Sequence, residues 1–158
     1  MKIRVKYRDK DCARLKILDK GEWIDLSYYN EAGENFNFKQ GSAGVIGLNI
    51  AMELPKGFEA IVAPRSSTWK SGLLQANAPG VIDYKYRGDS DWWGFPYWAY
   101  RDGYIEHNDR ICQFRIQPSQ KASAWTKIKW LFTSKIEFIE VDRFGNENRG
   151  GFGTTGKK

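Results

Sequence analysis

Hydrophobic and polar positions alternate along most of the chain with the two-residue period of strands. Ile3, Val5 and Tyr7 share one face of the first segment while Lys2, Arg4 and Lys6 share the other, and Leu15 to Leu18 continues or pairs with it. Gly21-Glu22 turns into a short strand through Trp23 to Ser27 that carries Asp25, and Phe36 to Phe38 predicts another inside a polar loop. The apolar run Val45 to Met52 ends at Leu54-Pro55-Lys56-Gly57, a turn signal, and Phe58 to Ala63 follows until Pro64 stops it. Leu73 to Asn77 and Val81 to Tyr84 flank Pro79-Gly80. There proline presets one dihedral and glycine accepts a positive φ, which predicts a strand–turn–strand hairpin. From Arg110 to Ile116 the alternation places Cys112, Phe114 and Ile116 on the core face and leaves Ile111, Gln113 and Arg115 on the other; Ile136 to Val141 is a further strand. The one helical pattern is Gln120 to Thr133, with Trp125, Ile128 and Phe132 near one face and Ser119 as cap after Pro118. Trp130 and Leu131 widen its apolar surface, predicting a helix that docks on the domain or on a neighbouring subunit.

At 158 residues with seven tryptophans, the chain fits one globular domain with a respectable core. No run approaches the length of a membrane span and the first ten residues lack the apolar centre of a signal peptide, so a cytoplasmic protein is expected. Cys12 and Cys112, far apart, read as reduced buried thiols. His107 is the single histidine, which argues against a zinc site or a Ser-His-Asp triad. The net charge of +6 favours an anionic partner, whether nucleotide, nucleic acid or acidic surface.

Four segments carry candidate chemistry. Asp83 and Tyr86, closed off by Arg87-Gly88-Asp89, put a carboxylate and a ring in one bent segment that either forms a small polar pocket or is an ordinary solvated turn. Arg65-Ser66-Ser67-Thr68 offers guanidinium and hydroxyl donors to a phosphate, or else caps a helical turn through Trp69-Lys70-Ser71. The aromatic stretch containing Trp92, Trp93, Phe95, Tyr97, Trp98 and Tyr100 is either a stacking surface for bases or packing for a core or subunit interface. The tail from Arg143 to Lys158, with five glycines, cannot make a core element; its embedded arginine, phenylalanine and threonines suit a flexible phosphate-binding lid.

Taken together in order, these segments resemble the trimeric dUTPase family from about Asp25 to the C-terminus. Asn77-Ala78-Pro79-Gly80-Val81-Ile82-Asp83 with Tyr86-Arg87-Gly88-Asp89 is similar to its uridine-binding hairpin, Pro64-Arg65-Ser66-Ser67 to its phosphate-binding serine motif, Asp109-Arg110-Ile111-Cys112-Gln113 to the next motif, and Arg149 to Gly156 to its C-terminal lid. The pattern departs in three places: Cys112 stands where alanine is more usual, Asp25-Leu26 lacks the customary preceding Ser-Ala-Gly, and the lid is short between Arg149 and Phe152. The aromatic stretch and the helical insert look more like the phage and prophage branch.

The resemblance implies an all-β distorted jelly roll of the β-clip type over residues 1–142, with a helical insert at about 119–134 and a flexible lid over 143–158. It implies a homotrimer with shared active sites that hydrolyses dUTP to dUMP and pyrophosphate, and needs neither membrane nor nucleic acid. Asp83 would activate the attacking water and Tyr86 would exclude a 2′-hydroxyl. Asn77 and the backbone of Gly80, Val81 and Ile82 would read the uracil edge. Arg65, Ser66, Ser67 and Gln113 would bind phosphates. From the lid, Phe152 would stack on uracil, Arg149, Thr154 and Thr155 would hold the γ-phosphate, and Gly153 would also bind the substrate. Mg2+ would ride on the triphosphate, with Asp25 ordering one of its waters. The alternatives are a regulatory macromolecule-binding module on the same scaffold, with a protein partner met through residues 92–100 or 119–134, and the related dCTP deaminase activity.

Overall fold

The computed structural model describes residues 1–17, 21–132 and 135–152. Gly153, Thr154, Thr155 and two ends of predicted elements, Leu18 and Thr133, lie outside the described residues. In chain order the elements are β1 (Lys2–Tyr7), β2 (Ile24–Ser27), β3 (Phe36–Phe38), β4 (Ala43–Gly47), β5 (Ile50–Glu53), β6 (Phe58–Pro64), β7 (Leu73–Gln75), β8 (Gly80–Asp83), β9 (Gly94–Ala99), β10 (Gly103–Ile105), β11 (Arg110–Pro118), α1 (Ala124–Phe132) and β12 (Glu137–Glu140), with a 3-10 turn at Thr68–Ser71 between β6 and β7. Among the described residues the strands form four small sheets, ordered β12-β1-β5, β10-β3, β2-β11-β6-β8 and β4-β9-β7. Their inward faces meet in one core, where the edge of Trp93 packs on Phe114 at 5.2 Å and Ile3, Leu26, Ile50 and Phe95 are buried around them. Such dense aromatic packing combines large area burial with ring–ring geometry.

The segment Leu73 to Asp83 is not a hairpin. β7 pairs with β9, whereas β8 pairs with β6, so the chain crosses from one sheet to another through Asn77 to Pro79. Period-two patterning shows that both pieces are strands but not which strand each one joins. Val45 to Met52 likewise divides into β4 and β5, broken at Leu48-Asn49. Asn49 is buried there because its amide is used up, accepting from the Ser27 N–H and donating to the Ala13 carbonyl at 2.6 Å. Leu15 to Ile17 forms no strand; the Leu15 N–H donates to the Tyr7 hydroxyl.

In β11 a bulge between Arg110 and Cys112 turns Ile111 inward, so Ile111 and Cys112 are both buried and strict alternation resumes only afterwards. The helix begins at Ala124 with Ser123 as its cap, Oγ accepting from the Thr126 N–H, while the Ser119 N–H bonds the Gly57 carbonyl. It docks through Thr126 and Trp130, the latter edge-on to Phe58 at 5.4 Å, so the predicted face of Trp125, Ile128 and Phe132 points to solvent instead. In the aromatic stretch Trp93, Phe95 and Tyr97 are buried in the core, Trp92 and Tyr100 are half-buried, and Trp98 is exposed. The tail also departs from expectation, since Phe144 is buried against the body. Cys12 and Cys112 are free buried thiols. Among the described residues no helix is long and apolar enough to cross a membrane.

Candidate functional site

Strand β8 runs antiparallel to β6, with Gly80 opposite Val62 and Asp83 opposite Glu59. Gly80 is buried at its start, where a Cβ would stand 3.0 Å from the Gln75 amide nitrogen, so a larger residue would have to push the Gln75 side chain aside. Beyond the strand the Asp83 carboxylate accepts the Lys85 N–H at 2.7 Å, an Asx turn, and the Tyr86 N–H bonds the Asp83 carbonyl. That turn folds Tyr86 back beside Asp83. The Tyr86 hydroxyl donates to the Trp92 carbonyl at 2.9 Å, and burial raises its pKa, keeping it neutral and fixed.

The tail returns to this place. Asp89 accepts the N–H groups of Phe144 and Gly145, and Asn148 accepts from Ser90. Buried Asp91 accepts from Arg149 and Gly150. Arg149 then reaches the Asp83 carboxylate as an ion pair, and Gly151 runs so close to the Tyr86 ring that a Cβ would meet it at 3.0 Å. Phe152, with φ +54°, lays its ring over Gly94, where a Cβ would be 2.8 Å from it. The result is a cavity of about 300 Å³ lined by Asn77, Gly80, Val81, Ile82, Asp83, Tyr86, Arg149 and Phe152, all expected from the sequence, together with Val62, Gln75, Gly94, Pro96, Gly150 and Gly151.

The other expected residues gather elsewhere. Asp25 on β2 is held by two guanidiniums, Arg65 Nε at 2.8 Å and Arg110 Nη1 at 3.0 Å. Gln113 lies opposite Asp25 on β11 and donates to the Pro64 carbonyl. Ser66 and Ser67 are exposed at the turn after β6. The hydroxyl that organises this turn is neither of them: Thr68 accepts the Arg65 N–H and donates to the Ile111 carbonyl, and Ser67 makes no side-chain cap. Arg65, just past the end of β6, lies six residues from Glu59, the partner of Asp83. At about 3.3 Å per residue Arg65 and Asp83 of one chain are therefore roughly 20 Å apart.

Arg110, Gln75 and Asp91 were not among the residues expected in the site. Arg110 had a legible signal, as a cation inside the Asp109 to Gln113 motif; the roles of Gln75 and Asp91 depend on contacts across sheets and with the tail.

A family model described as dUTPase matches residues 25–129. Over 159 aligned residues, covering all of both chains, the protein is 45% identical to the SPbeta prophage-derived deoxyuridine 5′-triphosphate nucleotidohydrolase of Bacillus subtilis. The chain belongs to the dUTPase family. It is also 27% identical to the deoxyuridine 5′-triphosphate nucleotidohydrolase of Escherichia phage T5, over 99% of each chain. The solved dUTPase of Streptococcus mutans superposes with a TM-score of 0.62 at 17% identity, over 76% of this chain and 98% of that one. That of Staphylococcus bacteriophage 80alpha, in a G164S form, covers 98% of both chains with a TM-score of 0.61. The fold is thus the distorted β jelly roll of the dUTPases.

Proposed function

We propose that the protein hydrolyses dUTP to dUMP and pyrophosphate in the 300 Å³ cavity, with Asp83 as the general base. Its membership of the dUTPase family makes dUTP the substrate, and the observation that carries the finer reading is the convergence of Asn77, Asp83, Tyr86, Arg149 and Phe152 on one cavity. A carboxylate there takes the proton from water as the new P–O bond to the α-phosphorus forms, and the bond to the bridging oxygen breaks to release pyrophosphate. Asn77 and the backbone of β8 pair with the uracil edge, so a base presenting the wrong donors would leave buried groups unpaired. The Tyr86 ring, anchored at both ends by its backbone and its hydroxyl, occupies the space a ribose 2′-hydroxyl would need. Phe152 closes over the base, and Arg149 adds positive charge beside the reacting phosphate.

The second cluster supplies the phosphate contacts from another copy of the chain, because its own Asp83 is roughly 20 Å away along β6. A ring of three copies is the closed arrangement this reading implies. There Arg65, Ser66, Ser67 and Gln113 of one copy meet Asp83 of the next, and Arg65 and Gln113 donate to the phosphate oxygens. Asp25 keeps the Arg65 fork aimed, and Arg110 shares that task.

The donor set fits a magnesium ion that arrives on the triphosphate. Both Asp25 oxygens are engaged by guanidiniums, which suits a carboxylate that meets a hydrated ion through its water better than one that ligates it directly. Bound there, Mg2+ offsets charge on the phosphates and fixes their curl. Pyrophosphate release measured side by side on dUTP, dCTP, dTTP and UTP tests this reading. Turnover confined to dUTP supports it, and turnover of none of the four, or of dCTP alone, would overturn it.

A further inference from the structure

The three most exposed large apolar side chains among the described residues all stand on α1: Trp125 at 73%, Leu131 at 77% and Phe132 at 82% exposed. At 3.6 residues per turn they share one side of the helix with Ala124 and Ile128, opposite the side of Thr126 and Trp130 that meets the body. Lys127 and Lys129 fall between the two sides, one on each flank. From Ser119 to Ile136 the sequence holds four lysines and no aspartate, glutamate, arginine or tyrosine. Beside the helix lies a hollow of about 520 Å³ lined by Met1, Phe58, Trp125 and Trp130 together with Lys56 and Lys129. Apolar walls and ammonium groups therefore meet in one place.

We infer that the outward face of α1 adsorbs on an anionic lipid surface, with Trp125, Leu131 and Phe132 sunk below the headgroups and the lysines at their level. A helix whose apolar side points away from its own protein leaves a contiguous apolar patch in water, and such a patch marks a contact surface. The lysines decide what it contacts. They call for negative charge, and the net charge of +6 reinforces that call at longer range. Yet an ammonium is a point charge without the guanidinium fork, so it specifies sign and not the geometry of a partner. Protein interfaces are depleted in lysine and favour arginine, which this segment lacks. Tryptophan and bulky apolar residues on one side with lysines beside them is instead the composition of helices that lie in a lipid interface. The hollow has the matching chemistry, its apolar walls for an acyl chain and Lys56 and Lys129 for a lipid phosphate. A second copy fits less well, because a like ridge brings like charge and the cluster proposed to face Asp83 from the next copy carries the cations Arg65 and Arg110. Adsorption adds a location to the protein and no step to its reaction.

Co-sedimentation with two kinds of vesicle tests this: phosphatidylcholine alone, and phosphatidylcholine with phosphatidylglycerol in equal parts. The wild type should bind the mixed vesicles about tenfold or more tightly than the neutral ones. Trp125→Phe should bind as the wild type does but lose most of the blue shift in tryptophan emission, which locates the contact at the helix. Leu131→Ser combined with Phe132→Ser should weaken binding about tenfold or more, and Lys127→Gln combined with Lys129→Gln should do the same at low salt. All four side chains are exposed and lie outside the nucleotide cavity, so circular dichroism and the mass by light scattering should match the wild type. Binding to mixed vesicles that survives the apolar double substitution means that net charge alone holds the protein there, and overturns the inference. A fall in mass of that variant means that a second copy covers the ridge, and overturns it as well. A wild type that binds both vesicles alike, or neither, also overturns it, the last result leaving a protein groove as the contact.

Discussion

The guanidinium of Arg149 pairs with the carboxylate of Asp83. The two are 66 residues apart in sequence, and the contact brings the lid's cation to the oxygen proposed to activate water. Arg149→Ala should lower kcat/KM for dUTP by about 10- to 100-fold, the scale of one lost charge-assisted contact to a phosphate. Arg149→Lys should recover only part of that, because an ammonium is a point charge without the guanidinium fork. Steady-state kinetics on the two variants check this, and equal activity of Lys and Arg forms would show that only charge matters.

Phe152 rests on Gly94, and a methyl group there would stand 2.8 Å from its ring and 2.6 Å from a Val45 methyl. Gly94→Ala should therefore displace the ring and cost a stacking contact on the base, worth about 1–3 kcal/mol. Phe152→Ala should cost a similar amount, and the double variant should cost little more than either, since both remove the same contact. Binding of a non-hydrolysable dUTP analogue, followed by calorimetry, reads all three. Additive losses would separate Gly94 from the lid.

Gly88 is fitted against backbone as well as a side-chain end: besides the Asn148 side chain, its Cβ would meet the Asn148 Cα and the Glu147 carbonyl. Gly88→Ala should lift the lid root and raise the rate of tryptic cleavage after Arg149, with strand content unchanged by circular dichroism. A variant as resistant as the wild type would show that the root can shift without release.

The N–H of Phe144, with that of Gly145 and the charges of Lys6 and Arg143, holds the Asp89 carboxyl below the usual carboxylate range despite partial desolvation. A depressed folded pKa means that the unfolded chain binds the proton more readily, so this stabilisation is present above the unfolded pKa of about 4 and is lost as pH falls through the folded value. The difference in urea midpoint between wild type and Asp89→Asn should be steady from pH 7 to about 5 and shrink below about 4. A difference that grew on acidification would contradict the assignment.

Much of this was legible in the sequence because strands announce themselves by period. Ile3 and Val5, Phe114 and Ile116, and Phe58, Ala60 and Val62 all face the core as their spacing predicts. What period cannot encode is pairing. Leu73 to Gln75 and Gly80 to Asp83 look like two arms of one hairpin, yet they serve different sheets, and this crossing leaves Asn77 on the rim of the pocket. The bulge that buries Ile111 beside Cys112 also breaks period, as bulges must. The residues of the site were readable as motif types, whereas their division into two clusters follows only from the register of β6 with β8. The five glycines of the tail predict a flexible lid. Its described part is held, beside the buried Phe144, by carboxylates accepting backbone N–H groups, a mode of docking that leaves little hydrophobic pattern.

Asp83→Asn tests the central claim most directly. The amide keeps the side chain's size but cannot take a proton from water, so kcat for pyrophosphate release from dUTP should fall by about 10²- to 10⁴-fold, the usual range for a general base. Affinity for a non-hydrolysable dUTP analogue should stay within a few-fold of the wild type. A variant that turns over dUTP at close to the wild-type rate would remove Asp83 from the reaction and with it the mechanism proposed for this pocket.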